Sequence, residues 1–358
     1  MGLIRFLLAT SVVSAHAGPI LGFTLLDSDV AVKAFYIISG FYMALILNEK
    51  YIYSNNSYSL FITNRFLRIY PLYWIVLLLT ILYSIMLIDS KDSNLSQLNN
   101  YATNWDDMKT ETFIFLLFTN IFLFFQDVVM FLGFNTTSGE LFFTSNFQNT
   151  NPQLHTFLFV PQAWTIGIEL TFYLIAPFVA KKKLKLLFFG IFLCLGVRIM
   201  LSLYGFKNDP WSYRFFPSEL VFFLLGVVSY RIYSKVRGVD IKHSYLQAIL
   251  SFTLAFAIFY GFLPTSVKQP VFLIILFVSI PFIFLLSKNW KLDSYIGELS
   301  YPIYISHLLV LNCMNLWVDD DTGFLKFTAI ILFSVLLNEL FSKPIDRYRR
   351  NRVSLTVI

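Results

Sequence analysis

Long apolar stretches alternate with short polar intervals along most of the chain. The stretches are about 20 residues long, which is the length that an α-helix needs to cross the hydrocarbon core of a bilayer. They lack the apolar–polar alternation that the strands of a membrane barrel require. The pattern therefore predicts an all-α polytopic membrane protein, with candidate spans at 3–23, 31–48, 70–88, 112–132, 157–179, 184–203, 217–233, 246–263, 270–287, 297–317 and 324–342.

The basic residues predict how these spans are oriented, because cytoplasmic loops are enriched in Lys and Arg. Most of them lie in alternate intervals, namely 48–69, 181–185, 231–243, 288–296 and 343–352. The intervals can be placed alternately inside and outside, starting from either end of the chain. The two series of placements disagree between residues 112 and 179. Ten crossings with both termini in the cytoplasm remove the disagreement, provided that 112–132 or part of 157–179 does not cross completely. Since 133–156 contains no Lys or Arg, we place it outside and doubt that 112–132 is a full crossing.

Composition narrows the class of protein further. Hydrophobic residues make up 57% of the 358 residues and charged residues only 13%, whereas about a quarter of a soluble domain is charged. The polar intervals are short, so we expect a single membrane domain over residues 1–358. Cys194 and Cys313 lie far apart in apolar stretches and form no metal or redox motif. We therefore expect no metal site. The apolar composition also leads us to expect contact with membrane lipids and no nucleic-acid partner.

Two ionisable residues share one face of the first predicted helix. Arg5 and His16 are eleven residues apart, which corresponds to a rotation of about 1100° and a rise of about 16 Å. A titratable base at membrane depth, with a cation nearer the start of the same helix, suggests chemistry inside the bilayer. There is an alternative, because Ser14-Ala15-His16-Ala17 resembles a signal-peptidase site. Cleavage after Ala17 would remove His16.

A pair of arginines precedes the third candidate span. Arg65 and Arg68 are three residues apart, on one helix face at the predicted cytoplasmic boundary. Paired guanidinium groups bind phosphate oxygens in a bidentate manner, so the pair could clamp a phosphate. Alternatively, the two side chains anchor the span by reaching towards the interface. Pro71 fits the first turn of the following helix.

Two later spans also carry polar residues at helical spacing. Glu169 lies in the middle of a span, where an unpaired carboxylate is costly, and Tyr173 follows one turn later. Ser300, Tyr304 and His307 form a single stripe on another helix. The structural alternative for each group is a hydrogen bond to a neighbouring helix. The sequence alone leaves both interpretations open.

Taken in order, these clusters resemble the membrane-bound acyltransferase-3 family, which includes bacterial O-antigen and other polysaccharide O-acetyltransferases. Arg5 and His16 are similar to its signature of Arg, ten residues and His. Tyr36 and Thr165 replace the Phe and Ser of the family pattern, which concerns packing more than chemistry. The other matching segments are AFYIISGFYMA at 34–44, RFLRIYPLYW at 65–74, WTIGIELTFYL at 164–174 and LSYPIYISH at 299–307.

The resemblance implies an enzyme of the bacterial inner membrane that takes acetyl from cytoplasmic acetyl-CoA. The acceptor would be a hydroxyl group of a cell-surface polysaccharide or of a lipid-linked glycan. The family retains its first helix, which favours keeping His16. A fused hydrolase-like domain, which the family often carries, is not expected here. By position, the implied site residues are His16 and Glu169 for catalysis, Arg5, Arg65, Arg68 and Tyr70 for the donor, and Ser39, Tyr173 and His307 for the acceptor.

Two other classes of membrane protein compete with an enzyme. A transporter or exporter could line its permeation path with the same buried charges. A glycan polymerase of a surface-polysaccharide pathway is also polytopic, and the interval 89–156, if 112–132 does not interrupt it, could supply the external loop that such proteins need. Dependence on coenzyme A separates the enzyme from both.

Overall fold

The computed structural model describes residues 1–20, 22–51, 57–264, 267–318 and 323–355, with the backbone alone for Ser57 and for 353–355. Residue 21, in the first predicted span, lies outside the described residues. The helices are α1 Gly2–Ala17, α2 Ser28–Glu49, α3 Ser57–Leu87, α4 Asn99–Thr103, α5 Thr110–Phe122, α6 Trp164–Val179, α7 Leu184–Leu203, α8 Phe216–Val236, α9 His243–Ile258, α10 Lys268–Ser287, α11 Lys291–Met314, α12 Phe324–Leu337 and α13 Lys343–Leu355. Strands β1 Leu132–Phe134 and β2 Leu141–Phe143 form an antiparallel hairpin.

Much of the chain is built from membrane-like helices, as predicted. Within the described ranges, seven helical segments are long and apolar enough to cross a bilayer. They include α2, α3, α7, α8 and α10, the segment 161–179 that contains α6, and the segment 324–352 that contains α12 and α13. Three further apolar helices, α1, α5 and α9, are shorter. The total of ten crossings and the cytoplasmic position of both termini remain predictions.

One local prediction about the third span is wrong, whereas the fourth is short, as expected. Helix α3 begins at Ser57 and continues for 31 residues, so Pro71 lies in its middle and not in the first turn of a new helix. Proline removes one backbone hydrogen bond, but apolar helices packed among others tolerate it. Helix α5 contains 13 residues, or about 20 Å, against a hydrocarbon thickness of about 30 Å. The α-helix in the stretch 112–132 therefore ends at Phe122, and only a short 3-10 helix, Val128–Phe131, follows, which agrees with the expectation that this stretch is not a full crossing.

The chain divides into two compact units, and the first contains residues 1–68, 175–192 and 220–358. Its core lies where α1 packs against α11 and α12, and the buried cluster there is Ala9, Val13, Leu299, Ile303, Val310, Leu311 and Ile330. Two glycines allow α1 and α11 to approach closely. A Cβ atom on Gly2 would lie 1.5 Å from the carbonyl oxygen of Asp293, and one on Gly297 would lie 2.7 Å from the Cα of Gly2. Small residues at such crossings are typical of membrane helices.

Helices α2 and α8 cross in the same manner within this unit. A Cβ on Gly40 would lie 2.0 Å from the carbonyl oxygen of Phe223, and a Cβ on Gly226 would lie 2.0 Å from that of Ile37. Phe41 is fully buried beside this crossing and packs edge-on against Phe284 of α10. The Ser-Gly-Phe segment of α2 is thus explained by helix packing.

The second unit contains residues 69–174 and 193–219. In it, three aromatic side chains of α3 donate hydrogen bonds to the last carbonyl groups of α5. The pairs are Tyr73 with Asn120, Trp74 with Ile121 and Tyr70 with Phe122. Leu123 then takes a left-handed conformation with φ of 63° and ends the helix. The donors satisfy carbonyl groups that a helix end otherwise leaves without partners.

Candidate active site

The packing of α1 against α11 brings two histidines together. The ring centroids of His16 and His307 are 5.2 Å apart, with an angle of 39° between the ring planes. His16 lies in the last turn of α1 and is exposed, whereas His307 is completely buried. Phe35 and Tyr304 lie nearby, and their ring centroids are 6.3 Å apart. The structure therefore joins two residues that are 291 positions apart in the sequence.

The stripe predicted on α11 is present, and its members are buried. Ser300 donates a hydrogen bond to the carbonyl oxygen of Gly297 at 2.7 Å. The Nδ1 atom of His307 lies 2.7 Å from the carbonyl oxygen of Tyr304, one turn earlier on the same helix. The Nε2 atom of His307 is buried and has no hydrogen-bond partner within the described part of the chain.

Arg5 lies near the opposite end of α1, and the continuous helix confirms its spacing from His16. Its guanidinium group lies 6.0 Å from the ring centroid of Tyr42 on α2. The carboxylate of Asp293, on α11, accepts hydrogen bonds from the backbone N–H groups of Gly2 at 2.7 Å and Leu3 at 2.9 Å. It also forms an ion pair with the ammonium group of Met1 at 2.6 Å. Asp293 thus holds the N-terminal end of α1, a role that could not be predicted from the sequence.

The arginine pair of α3 lies beside the C-terminal helix. Arg65 is buried and Arg68 is exposed. Arg352 of α13 donates hydrogen bonds to Asn64 at 3.3 Å and to Thr63 at 3.2 Å. These contacts bind α13 to the segment of α3 that carries the pair.

A third guanidinium group joins this pair. Arg349 of α13 is within electrostatic reach of Arg65 and Arg68, and it forms an ion pair with Asp346. Lys50 lies close to the same group of charges. Burial, together with repulsion from nearby arginines including Arg65 and Arg349, lowers the pKa of Lys50 below its usual value. The cluster therefore has an excess of positive charge, which suits an anion.

The predicted pair on α6 forms as the spacing indicates. The hydroxyl group of Tyr173 donates a hydrogen bond to the carboxylate of Glu169, which is half-buried. Thr165, in the position where the family pattern has Ser, donates to the carbonyl oxygen of Gln162 at 3.3 Å. Glu169 and Tyr173 belong to the second unit, whereas His16 belongs to the first.

The remaining predicted site residues are placed as follows. Tyr70 belongs to the second unit, where its hydroxyl group is bonded to the carbonyl oxygen of Phe122. Ser39 is buried in α2, next to the close crossing with α8. The roles predicted for both residues, in donor and acceptor binding, remain predictions.

Two arginines of the second unit have carboxylate partners. Arg198 pairs with the buried Glu219 at 2.8 Å. Arg214 forms two hydrogen bonds with Asp209, at 2.7 and 2.9 Å, and its guanidinium group lies 4.2 Å from the ring centroid of Trp164. Such pairing is consistent with structural roles for both arginines.

Comparisons with known proteins identify the family. The family model described as an acyltransferase domain matches residues 1–342. A protein of Aquifex aeolicus (strain VF5), titled "Uncharacterized protein", is 26% identical over 205 residues, which are 54% of this chain and 90% of that protein. No solved structure matches. The chain belongs to the acyltransferase-3 family, and its apolar helices make it a multi-pass membrane acyltransferase.

Proposed function

We propose that the protein transfers an acetyl group from acetyl-CoA to a hydroxyl group of a cell-surface polysaccharide or a lipid-linked glycan. The observation that carries this proposal is the exposed imidazole of His16 at the end of a tightly packed helix, in a chain of the acyltransferase-3 family. An exposed histidine can reach substrates, and a neutral imidazole ring can accept a proton. The inner membrane of a bacterium is the proposed location.

His16 has two possible roles in the transfer. As a general base, it accepts the proton of the acceptor hydroxyl while the oxygen attacks the thioester carbonyl. The C–S bond then breaks, and the departing thiolate takes the proton, which gives the acetyl ester and free coenzyme A. As an acyl carrier, the ring nitrogen attacks the thioester first, and the C–S bond breaks to release the coenzyme A thiolate. The acceptor hydroxyl then takes the acetyl group from the nitrogen, and its proton passes to the thiolate. Both routes require a ring nitrogen without a proton.

The basic cluster at α3 and α13 is the proposed donor site. Arg65 and Arg68 would bind phosphate groups of coenzyme A, and Arg349 adds a third guanidinium group within electrostatic reach of both. Guanidinium groups form charge-assisted, bidentate hydrogen bonds with phosphate oxygens. Bound phosphate would also relieve the repulsion among these side chains. Arg5, on the same unit, is proposed to support either the donor or the histidine.

Glu169 and Tyr173 are proposed as a separate group that acts on the acceptor. The hydrogen bond from Tyr173 fixes one orientation of the Glu169 carboxylate, which favours a positioning or acid–base role. Glu169→Gln keeps the size of the side chain and removes the charge. Loss of transfer with normal binding of acetyl-CoA would support the role, and full activity would refute it.

The function is tested by analysis of the surface glycan. Mass spectrometry would compare cells with the gene, without it, and complemented with wild type, His16→Ala or His243→Ala. His243 is exposed at the start of α9 and serves as the matched control. We expect O-acetylated glycan with wild type and His243→Ala only. If the purified protein does not bind acetyl-CoA and His16→Ala restores the modification, the proposal is wrong.

A further inference from the structure

The hydrogen bond inside α11 defines the tautomer of His307. A carbonyl oxygen can only accept a hydrogen bond, so the Nδ1 atom that lies 2.7 Å from the oxygen of Tyr304 must carry the proton. In a neutral imidazole the other nitrogen then has a lone pair and acts as an acceptor. The Nε2 atom of His307 is therefore a buried acceptor, and no described residue donates to it.

The neighbouring group that could donate to this atom is the ring of His16. The two ring centroids are 5.2 Å apart. At this separation, two ring nitrogens that face each other come within hydrogen-bond distance, about 2.7–3.2 Å. Since His16 is exposed in the last turn of α1, a rotation about its side-chain torsions can turn an N–H group towards His307. The side chain of His307, in contrast, is enclosed on all sides.

We propose that His307 is a positioning residue whose Nε2 atom accepts a hydrogen bond from a ring N–H of His16. This bond fixes the tautomer of His16 and leaves its other nitrogen, which carries no proton, facing the reacting groups. The proposal rests on the proposed function, in which that nitrogen is either the base or the acyl carrier. In enzymes with an activated nucleophile, a third group commonly orients the base in this way.

The burial of His307 separates this role from direct contact with the acceptor. The side chain of His307 has no exposed surface in this structure, and the ring beside it, that of His16, is exposed. The family motif alone led us to expect acceptor binding at His307. The structure favours an action on His16 instead.

Three substitutions of His307 test the proposal. His307→Gln places an amide oxygen close to the position of Nε2, so an acceptor is kept. His307→Asn places its oxygen nearer the backbone, at the position of Nδ1, and His307→Phe keeps a ring without an acceptor. The full-length protein would be assayed in vesicles for kcat and for KM with acetyl-CoA. The ¹⁵N spectra of its four histidines would report the tautomer of His16, assigned with the His16→Ala protein.

We expect His307→Phe and His307→Asn to lower kcat by about 10- to 100-fold, a part of the ~10²–10⁴ that a general base contributes. KM for acetyl-CoA should change little. His307→Gln should remain within a few fold of wild type. His16 should occupy one tautomer in the wild type and in His307→Gln, and a mixture of two in the other variants.

The spectra keep the test independent of the enzyme assay. If His16 has the same tautomer in the wild type, His307→Asn and His307→Phe, the proposal is wrong. If the wild type transfers no acetyl group, the proposed function is wrong, and the spectra still decide whether His307 orders His16. Should His307→Phe fail to fold, the comparison of His307→Asn with His307→Gln decides, and equal kcat with equal spectra would overturn the proposal.

Discussion

The carboxylate of Asp293 holds the N-terminal end of α1, the helix that carries His16 in its last turn. Removal of this carboxylate should therefore lower the free energy of unfolding. Asp293→Ala removes the acceptor for the N–H groups of Gly2 and Leu3 and the charged partner of the Met1 ammonium group, which also donates to the hydroxyl of Ser287. A hydrogen bond to a charged group contributes about 1.5–3 kcal/mol, and breaking a buried ion pair costs about 3–5 kcal/mol. These contributions overlap, so we expect the free energy of unfolding to fall by about 3–5 kcal/mol.

Two variants make this measurement specific. Asp293→Asn keeps one acceptor oxygen but also breaks the ion pair, so we expect a loss only somewhat smaller than that of Asp293→Ala. Asp92 is exposed between helices, and Asp92→Ala should change stability by less than about 0.5 kcal/mol. Unfolding would be followed by circular dichroism in detergent micelles at neutral pH. If Asp293→Ala loses no more stability than Asp92→Ala, the carboxylate does not hold α1.

The pH dependence of the same variants provides a second check. Burial alone would raise the pKa of Asp293, but the hydrogen bonds and charge at the start of α1 outweigh burial and hold the pKa below its usual value. A carboxyl group with a lowered pKa stabilises the fold above its unfolded pKa of about 3.9, and this stability is lost as pH falls through the folded value. The stability difference between wild type and Asp293→Asn should therefore shrink as the pH falls from about 5 through the folded pKa of Asp293. A difference that grows as the pH falls below about 4 would contradict this sign.

Two further predictions concern the donor site and the crossing of α2 with α8. Arg349→Gln should raise KM for acetyl-CoA by about tenfold, which corresponds to ~1.4 kcal/mol. The exposed Arg347→Gln on the same helix should not, and equal effects would argue against a phosphate site. Gly226→Ala should lower the free energy of unfolding by about 1–3 kcal/mol, because its Cβ would lie 2.0 Å from the carbonyl oxygen of Ile37. Gly196→Ala meets no atom within 4 Å, so it should be neutral or stabilising in the same unfolding assay.

Relationships within a single helix could be predicted from the sequence. The fixed rotation and rise of an α-helix were enough to place Arg5 and His16 on one continuous helix. The same geometry placed Glu169 one turn from Tyr173, where the structure shows a hydrogen bond. It also aligned His307 with the buried stripe on α11. Helical periodicity thus accounts for each cluster taken separately.

Relationships between helices could not be obtained in this way. The contact of His16 with His307 depends on the close approach of α1 and α11, which two glycines permit. Periodicity within each helix does not identify its partner. Asp293 was missed for a related reason, because its importance comes from backbone N–H groups of another helix. Pro71 does not start a helix, since proline marks a helix start only where the preceding residues are not already helical.

The hydrogen bonds from α3 to the end of α5 have a consequence for how the length of a helix is encoded. An apolar segment gains a hydrogen bond from each residue added, so its own sequence gives α5 little reason to stop at Phe122. It can stop because Tyr70, Tyr73 and Trp74 supply donors for the carbonyl groups that would otherwise require another turn. The length of α5 therefore depends partly on the sequence of α3, and substitutions in one helix can change the residue at which another helix ends.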